Sequence, residues 1–138
     1  RGRRRRRRRG GRAGRGVTAH PAADLRAALI AHALTYPEAH LDHPWGEDVV
    51  KVGRKIFAFF GSTDPKYGVL LGVKLPHSAP GALMHDCTDP AGYGLGRSGW
   101  VSIRHDRGEL PPIEVLQDWI DESYRAVAPK GLVGRLGG

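Results

Sequence analysis

Residues 49–60 have the sequence VVKVGRKIFAFF, and they predict the β-hairpin around which the fold is organised. Three valines precede Gly53-Arg54, a Gly-X pair suited to the two-residue type II′ turn that joins antiparallel strands. Five apolar residues, Ile56 to Phe60, form the returning strand. Because they would place apolar side chains on both faces, we expect a helix to cover one face and the other to be partly exposed.

The segments on either side of this hairpin predict an α-β-β-β-α-β-α order. On the amino-terminal side, apolar residues at helical spacing between Pro21 and Tyr36-Pro37 predict a first helix, and residues 37–48 are expected to form a loop. On the other side, residues 68–74 predict a third strand, 79–87 a short helix, and 100–104 a strand of alternating pattern. Pro111-Pro112 opens a last helix, which Ala128-Pro129 ends.

The excess positive charge of the chain lies at its amino terminus. The formal net charge is +8, and the first 16 residues hold ten arginines and no acid. The other 122 residues hold 12 Lys and Arg against 14 Asp and Glu, a net charge of −2. Residues 1–16 contain no hydrophobe except Ala13, so we expect them to be disordered. The basic pI of the chain therefore describes this tail.

Composition restricts the class of protein. The 138 residues predict one domain, and no apolar run approaches the length of a membrane span, so no membrane association is expected. Cys87 is the only cysteine, which excludes an intramolecular disulfide and favours a reducing, cytoplasmic setting. The sequence leaves the oligomeric state open.

Four segments together resemble the MmcQ/YjbR family: Pro44-Trp45-Gly46, Lys51 to Ala58, Tyr93 to Val101, and Trp119 to Tyr124. The resemblance covers about residues 20–130. It implies an α+β fold of the CyaY-like or double-wing type, in which an antiparallel sheet carries the N- and C-terminal helices on one face. Members of this family are commonly labelled DNA-binding. The predicted organisation is a tail at 1–16, an MmcQ/YjbR-like domain at 17–130 and a flexible C-terminal tail at 131–138.

The residues themselves offer one candidate nucleic-acid surface. Three cations cluster at the hairpin tip, and two more lie in and after the Gly-rich loop, where Trp100 shares a strand face with Ser102 and Arg104. Arginine and lysine contact phosphates, and an exposed Trp can stack a base. The alternative is that Trp100 is core and the cations are ordinary surface charges. The candidate contact residues are Lys51, Arg54, Lys55, Arg97, Trp100 and Arg104.

Three other chemistries are weighed against simpler interpretations. Gly94, Gly96 and Gly99 have Gly-x-Gly-x-x-Gly spacing, but a strand is predicted to follow, so a tight turn is favoured over a phosphate cradle. His40 and His43 lie in a predicted loop and are interpreted as surface histidines, since a catalytic zinc site needs three ligands in defined geometry. Cys87 is interpreted as a small core residue, because a reactive thiolate needs an electropositive site.

The sequence thus predicts a non-enzymatic DNA-binding protein that contacts phosphates without marked sequence preference. No cofactor and no metal are expected, and the expected partner is nucleic acid, with DNA favoured. The alternative is a domain that binds a protein or small ligand and has a functionally irrelevant Arg tail. One continuous positive face would favour the first; an apolar concavity around Trp45 and Trp100 with dispersed charges would favour the second.

Overall fold

The computed structural model describes residues 21–62, 68–92 and 94–136. The predicted α+β class is confirmed, while the Arg tail lies outside the described residues. The elements in chain order are α1 (Pro21–Ala33), β1 (Ala39–Asp42), β2 (Asp48–Val52), β3 (Lys55–Gly61), β4 (Val69–Lys74), α2 (Ala79–Ala82), β5 (Thr88–Pro90), β6 (Trp100–Arg104), α3 (Ile113–Val127) and α4 (Lys130–Gly134).

The six strands form one antiparallel sheet in the order β1-β2-β3-β4-β6-β5. The predicted hairpin is confirmed, since Val52 pairs with Lys55 and leaves Gly53-Arg54 as its two-residue turn. Gly53 has a φ of +63°, which a glycine adopts without the steric cost that a Cβ would add.

Strand β3 contains two β-bulges, which account for its continuous run of apolar residues. Val50 pairs with Ala58 and Lys51 with Ile56, so Phe57 is an extra residue on β3. A second shift makes Phe60 extra as well. Both are fully buried, whereas Phe59 is only half-buried. Because each bulge resets the side-chain alternation, one strand supplies large apolar groups to both faces of the sheet.

Helices α1 and α3 pack against each other and on the same face of the sheet, as predicted. Three aromatic rings from β3, α3 and the turn after α1 form the centre of this layer. Tyr36 stacks on Tyr124 at a centroid distance of 4.7 Å, and Phe57 meets Tyr124 edge-on at 5.0 Å. Both hydroxyls are satisfied, by Asp121 and by the carbonyl of Pro37.

A buried hydroxyl joins α3 to two strands. The Ser123 hydroxyl donates to the carbonyl of Phe57 at 2.5 Å and accepts from the backbone N–H of Lys74 at 2.8 Å. The register between β3 and β4 consists of Ala58–Val73 and Phe59–Gly72, so this side chain bridges the two strands just beyond their paired residues. The hydroxyl therefore replaces a missing rung of the ladder.

Four parts of the structure differ from the sequence prediction. Residues 39–42, predicted as loop, form the edge strand β1, and residues 88–90 form the opposite edge, β5. Both are short and lack apolar alternation, so their pairing depends on the neighbouring strand. The predicted helix at 79–87 is helical only over residues 79–82. Beyond Pro129, residues 130–134 form α4, whose Leu132 and Val133 pack on the core, where the sequence predicts a flexible tail from 131.

Candidate nucleic-acid interface

The face of the sheet opposite to α1 and α3 carries an aromatic centre. Cross-strand pairing places Gly72 between Phe59 on one side and Ser102 on the other, and pairs Lys74 with Trp100. Directly paired residues share a face, so the four side chains and Gly72 lie opposite the helices. A Cβ on Gly72 would approach the Phe59 Cβ to 3.3 Å, so the glycine leaves room for that ring.

A concavity of about 710 Å³ lies over this centre. Phe59 and Trp100 meet there with ring centroids 5.3 Å apart and planes at 75°. Trp100 is half-buried. Trp100 is therefore neither a core residue nor a fully exposed one, the two alternatives that the sequence offers. Its ring forms part of an open apolar surface. The remaining lining residues are Gly46, Glu47, Gly61, Ser62, Val69, Gly72, Ala91, Gly92, Leu95 and Ser102.

The Gly-rich loop forms one wall of the concavity through backbone geometry. Gly94 and Gly99 have φ values of +78° and +89° and flank the 3-10 turn Leu95–Ser98. A Cβ on Gly96 would lie 2.8 Å from the Pro90 Cβ. The glycines thus permit a tight turn that leads directly into β6, which agrees with the turn interpretation of this motif.

Four cations lie at the end of the sheet where β3 and β6 begin, and we call them the basic end: Arg54, Lys55, Lys74 and Arg97. Arg54, Lys55 and Arg97 are exposed, and Lys74 is half-buried. Among the described residues, none of the four forms an ion pair. Two nearby acids are engaged elsewhere, since Glu38 lies 3.7 Å from Arg135 and Glu122 binds the turn before α2.

Two of the predicted contact residues are neutralised by their neighbours. Lys51 Nζ lies 2.7 Å from Asp42, and Arg104 makes two hydrogen bonds of 2.9 and 2.8 Å to Asp106. The bond from Lys51 holds the pKa of Asp42 below its usual value, and that from Arg104 does the same for Asp106. Lys51 and Arg104 therefore contribute little positive potential, and Arg54, Lys55 and Arg97 are the predicted contact cations that remain unpaired among the described residues.

Sequence reasoning missed Lys74, Phe59 and Gly72 as parts of this surface. Lys74 could have been found from the sequence, because it ends a predicted strand and alternates with buried Val73. Phe59 could not, since the bulges in β3 change which of its aromatic residues faces the helices. The side chain of Trp45, which the sequence associates with a concavity, lies outside the described part of the chain.

One known protein family matches the part of the chain that carries this surface. The YjbR family model matches residues 34–126, which is two thirds of the chain. The chain belongs to the YjbR family. The sequence resemblance is thereby confirmed, and the matched segment includes the hairpin, the Gly-rich loop and most of α3. No curated protein matches the chain.

His43 and Cys87 of this YjbR domain each contact other parts of the fold. His43 Nδ1 lies 2.5 Å from Asp48, and the described residues contain no group of three or more potential metal ligands. Cys87 is fully buried in the core, where desolvation raises the pKa of its thiol. In the described residues no helix is long and apolar enough to cross a membrane.

Proposed function

We propose that this YjbR domain is a non-enzymatic nucleic-acid-binding module that contacts phosphates through its basic end, with little preference for sequence. One observation carries the proposal. Four cations without an ion-pair partner among the described residues lie at one end of the sheet that carries Phe59 and Trp100, in a domain whose other cations are largely paired. Phosphate contacts of this kind fix position and orientation without specifying sequence. DNA is the favoured partner, and a cytoplasmic setting remains part of the proposal.

The proposal predicts that reversing two charges of the basic end weakens binding uniformly. Arg54→Glu with Arg97→Glu should lower the affinity of residues 17–138 for duplex DNA about equally across sequences. Each lost phosphate contact should also reduce the log–log salt slope by about one, so we expect a change of about two. Both residues lie in exposed turns, so a thermal melt of each variant should show a folded protein.

The matched control is Lys130→Glu at the exposed start of α4, compared with Arg54→Glu alone, because each reverses one exposed charge that forms no ion pair among the described residues. If these two single variants weaken binding equally, the effect is one of net charge and the basic end is not the contact. Absence of binding by residues 17–138 at about 50 μM protein in low salt would leave the tail as the source of any affinity.

The volume of the concavity favours a second candidate function. Pockets of roughly 300–1,000 Å³ with apolar walls take small organic ligands, and this one has about 710 Å³. A domain that binds a small planar ligand would use Phe59 and Trp100 without the basic end. Such a domain should show thermal stabilisation by aromatic ligands that is unaffected by the Arg54→Glu and Arg97→Glu changes.

A further inference from the structure

The aromatic concavity lies beside two cations of the basic end, Lys74 and Arg97, and this juxtaposition restricts the form of nucleic acid that can use both. Lys74 is the cross-strand partner of Trp100, and Arg97 precedes that Trp by three residues in the 3-10 turn whose Leu95 lines the concavity. A ligand that contacts these cations therefore has the Phe59–Trp100 pair within reach. This inference rests on the proposed nucleic-acid function.

The ring geometry favours an inserted planar group. Phe59 and Trp100 are nearly perpendicular, with planes at 75°, so they do not stack on each other. A planar ring that stacks on one of them meets the edge of the other, and both arrangements are favoured between aromatic systems. Ala91, Leu95 and Val69 supply apolar walls around them. The concavity thus suits the face of a nucleobase.

Only an unpaired base can present its ring face to these aromatic side chains. In a duplex each base is stacked on both sides and exposes only its edges in the grooves, whereas bases of a single strand are free to stack on aromatic side chains. A sheet with aromatic residues on its open face is a general platform for such stacking.

Charge at the rim of the concavity favours one side of it for the phosphate backbone of a bound strand. Glu47 lines the concavity next to Gly61, at the end of β3 opposite to the basic end. A carboxylate repels phosphates, so the backbone of a bound strand is favoured along Lys74 and Arg97 and disfavoured along Glu47. We infer that the open face binds single-stranded nucleic acid, with one unpaired base stacked at Phe59 and Trp100 and its flanking phosphates at Lys74 and Arg97.

The test uses the full chain and two probes, a single-stranded DNA of seven nucleotides and a duplex with the same top strand. Trp100→Leu keeps an apolar side chain but removes the aromatic face. We expect it to weaken single-strand binding roughly 5- to 150-fold and to leave duplex binding unchanged. Met84→Ala is the control, because Met84 is 85% exposed and does not line the concavity. It should change neither affinity.

A second measurement covers the case in which the arginine tail dominates affinity or Trp100→Leu fails to fold. In wild type, the single strand should shift the indole N–H resonance of Trp100 in a ¹⁵N spectrum. Trp119, buried on the helix side, should not shift. In the double variant Arg54→Glu with Arg97→Glu, the Trp100 resonance should still shift. A higher strand concentration should be needed to reach the same shift as in wild type.

The outcomes separate this inference from the proposed function. Weaker single-strand binding by Trp100→Leu, with a Trp100 shift in wild type, supports the inference. Equal losses for both probes, or an unmoved Trp100 resonance while charge reversal still weakens binding, overturn the stacked base and keep the phosphate-binding function. If neither charge reversal nor Trp100→Leu changes binding and the Trp100 resonance of wild type does not shift, both proposals are wrong.

Discussion

At the scale of single residues, Asp48 joins three parts of the fold. Its carboxylate accepts a 2.5 Å hydrogen bond from Arg26 of α1 and lies 2.5 Å from His43, while Arg26 also donates to the carbonyls of Phe60 and Gly61. Burial alone would raise the pKa of Asp48, but the hydrogen bonds from Arg26 and His43 outweigh it and hold the pKa below its ordinary value. This cluster fixes α1 against the far end of β3.

The Asp48 cluster predicts a pH-dependent contribution to stability. Asp48→Asn should lower the free energy of unfolding by about 1–3 kcal/mol at pH 7, since it removes charge-assisted hydrogen bonds from Arg26. The folded-state pKa lies below the ordinary value of 3.8, so the contribution is present above that value and lost as the pH falls through the lowered pKa.

Chemical denaturation of wild type and Asp48→Asn between pH 7 and pH 2 measures this difference. The gap between the two proteins should close only below about pH 4. Asp24→Asn, an exposed carboxyl in the first turn of α1, is the control and should cost less than about 0.5 kcal/mol. A gap that stays constant down to pH 2 would show that Asp48 acts through packing and not through its charge.

At the scale of elements, α3 organises the molecule through polar side chains as well as its apolar stripe. Asp121 and Glu122 are half-buried, and each contacts another part of the fold. Asp121 accepts from Tyr36 at 3.0 Å and from Arg125 at 2.7 Å. Glu122 accepts hydrogen bonds from the backbone N–H groups of His77 and Ser78 and from the Ser78 hydroxyl. These acids join α3 to the turn after α1 and to the segment that leads into α2.

The Glu122 contacts predict that α2 depends on α3 for its position. Glu122→Ala should leave two backbone donors to solvent and destabilise the protein by about 1–2 kcal/mol. The change should be local, so amide hydrogen exchange should accelerate over residues 77–85 more than in β4 or β6. Asp118→Ala, an exposed acid on the same helix, is the matched control. Equal acceleration throughout the domain would mean that Glu122 supports global stability and does not specifically hold α2.

At the scale of the whole molecule, the chain separates into a strongly basic tail and a domain close to neutral. The tail lies outside the described residues, so its contribution stays a prediction from the sequence. The domain has its own core, formed by the sheet with α1 and α3, and Trp119 of α3 is 7% exposed within it. Stability should therefore depend on the domain, and most of the salt-dependent affinity of the full chain on the tail.

Removal of residues 1–16 should leave the melting behaviour almost unchanged, within about 0.5 kcal/mol, because those residues offer almost no apolar surface to pack. Trp119→Ala should instead cost roughly 3–5 kcal/mol through the cavity it leaves. The full chain should show a steep log–log salt slope, about −5 to −9 if six to ten phosphates are engaged, and the trimmed chain a much smaller one. Thermal melts and salt titrations of the three proteins test this separation. A large stability loss on trimming would contradict it.

The sequence by itself determined the elements that local chemistry specifies. Gly53-Arg54 predicts the hairpin turn, the prolines before Ile113 and after Val127 bound α3, and alternation identifies β6. Only the tertiary structure decided what depends on partners distant in the chain. The edge strands β1 and β5 acquire their hydrogen bonds from neighbours, and the bulges in β3 turn Phe59 outward toward Trp100. Pairing with Asp42 and Asp106 removes Lys51 and Arg104 from the positive surface, because charge at a site depends on neighbours that sequence spacing does not reveal.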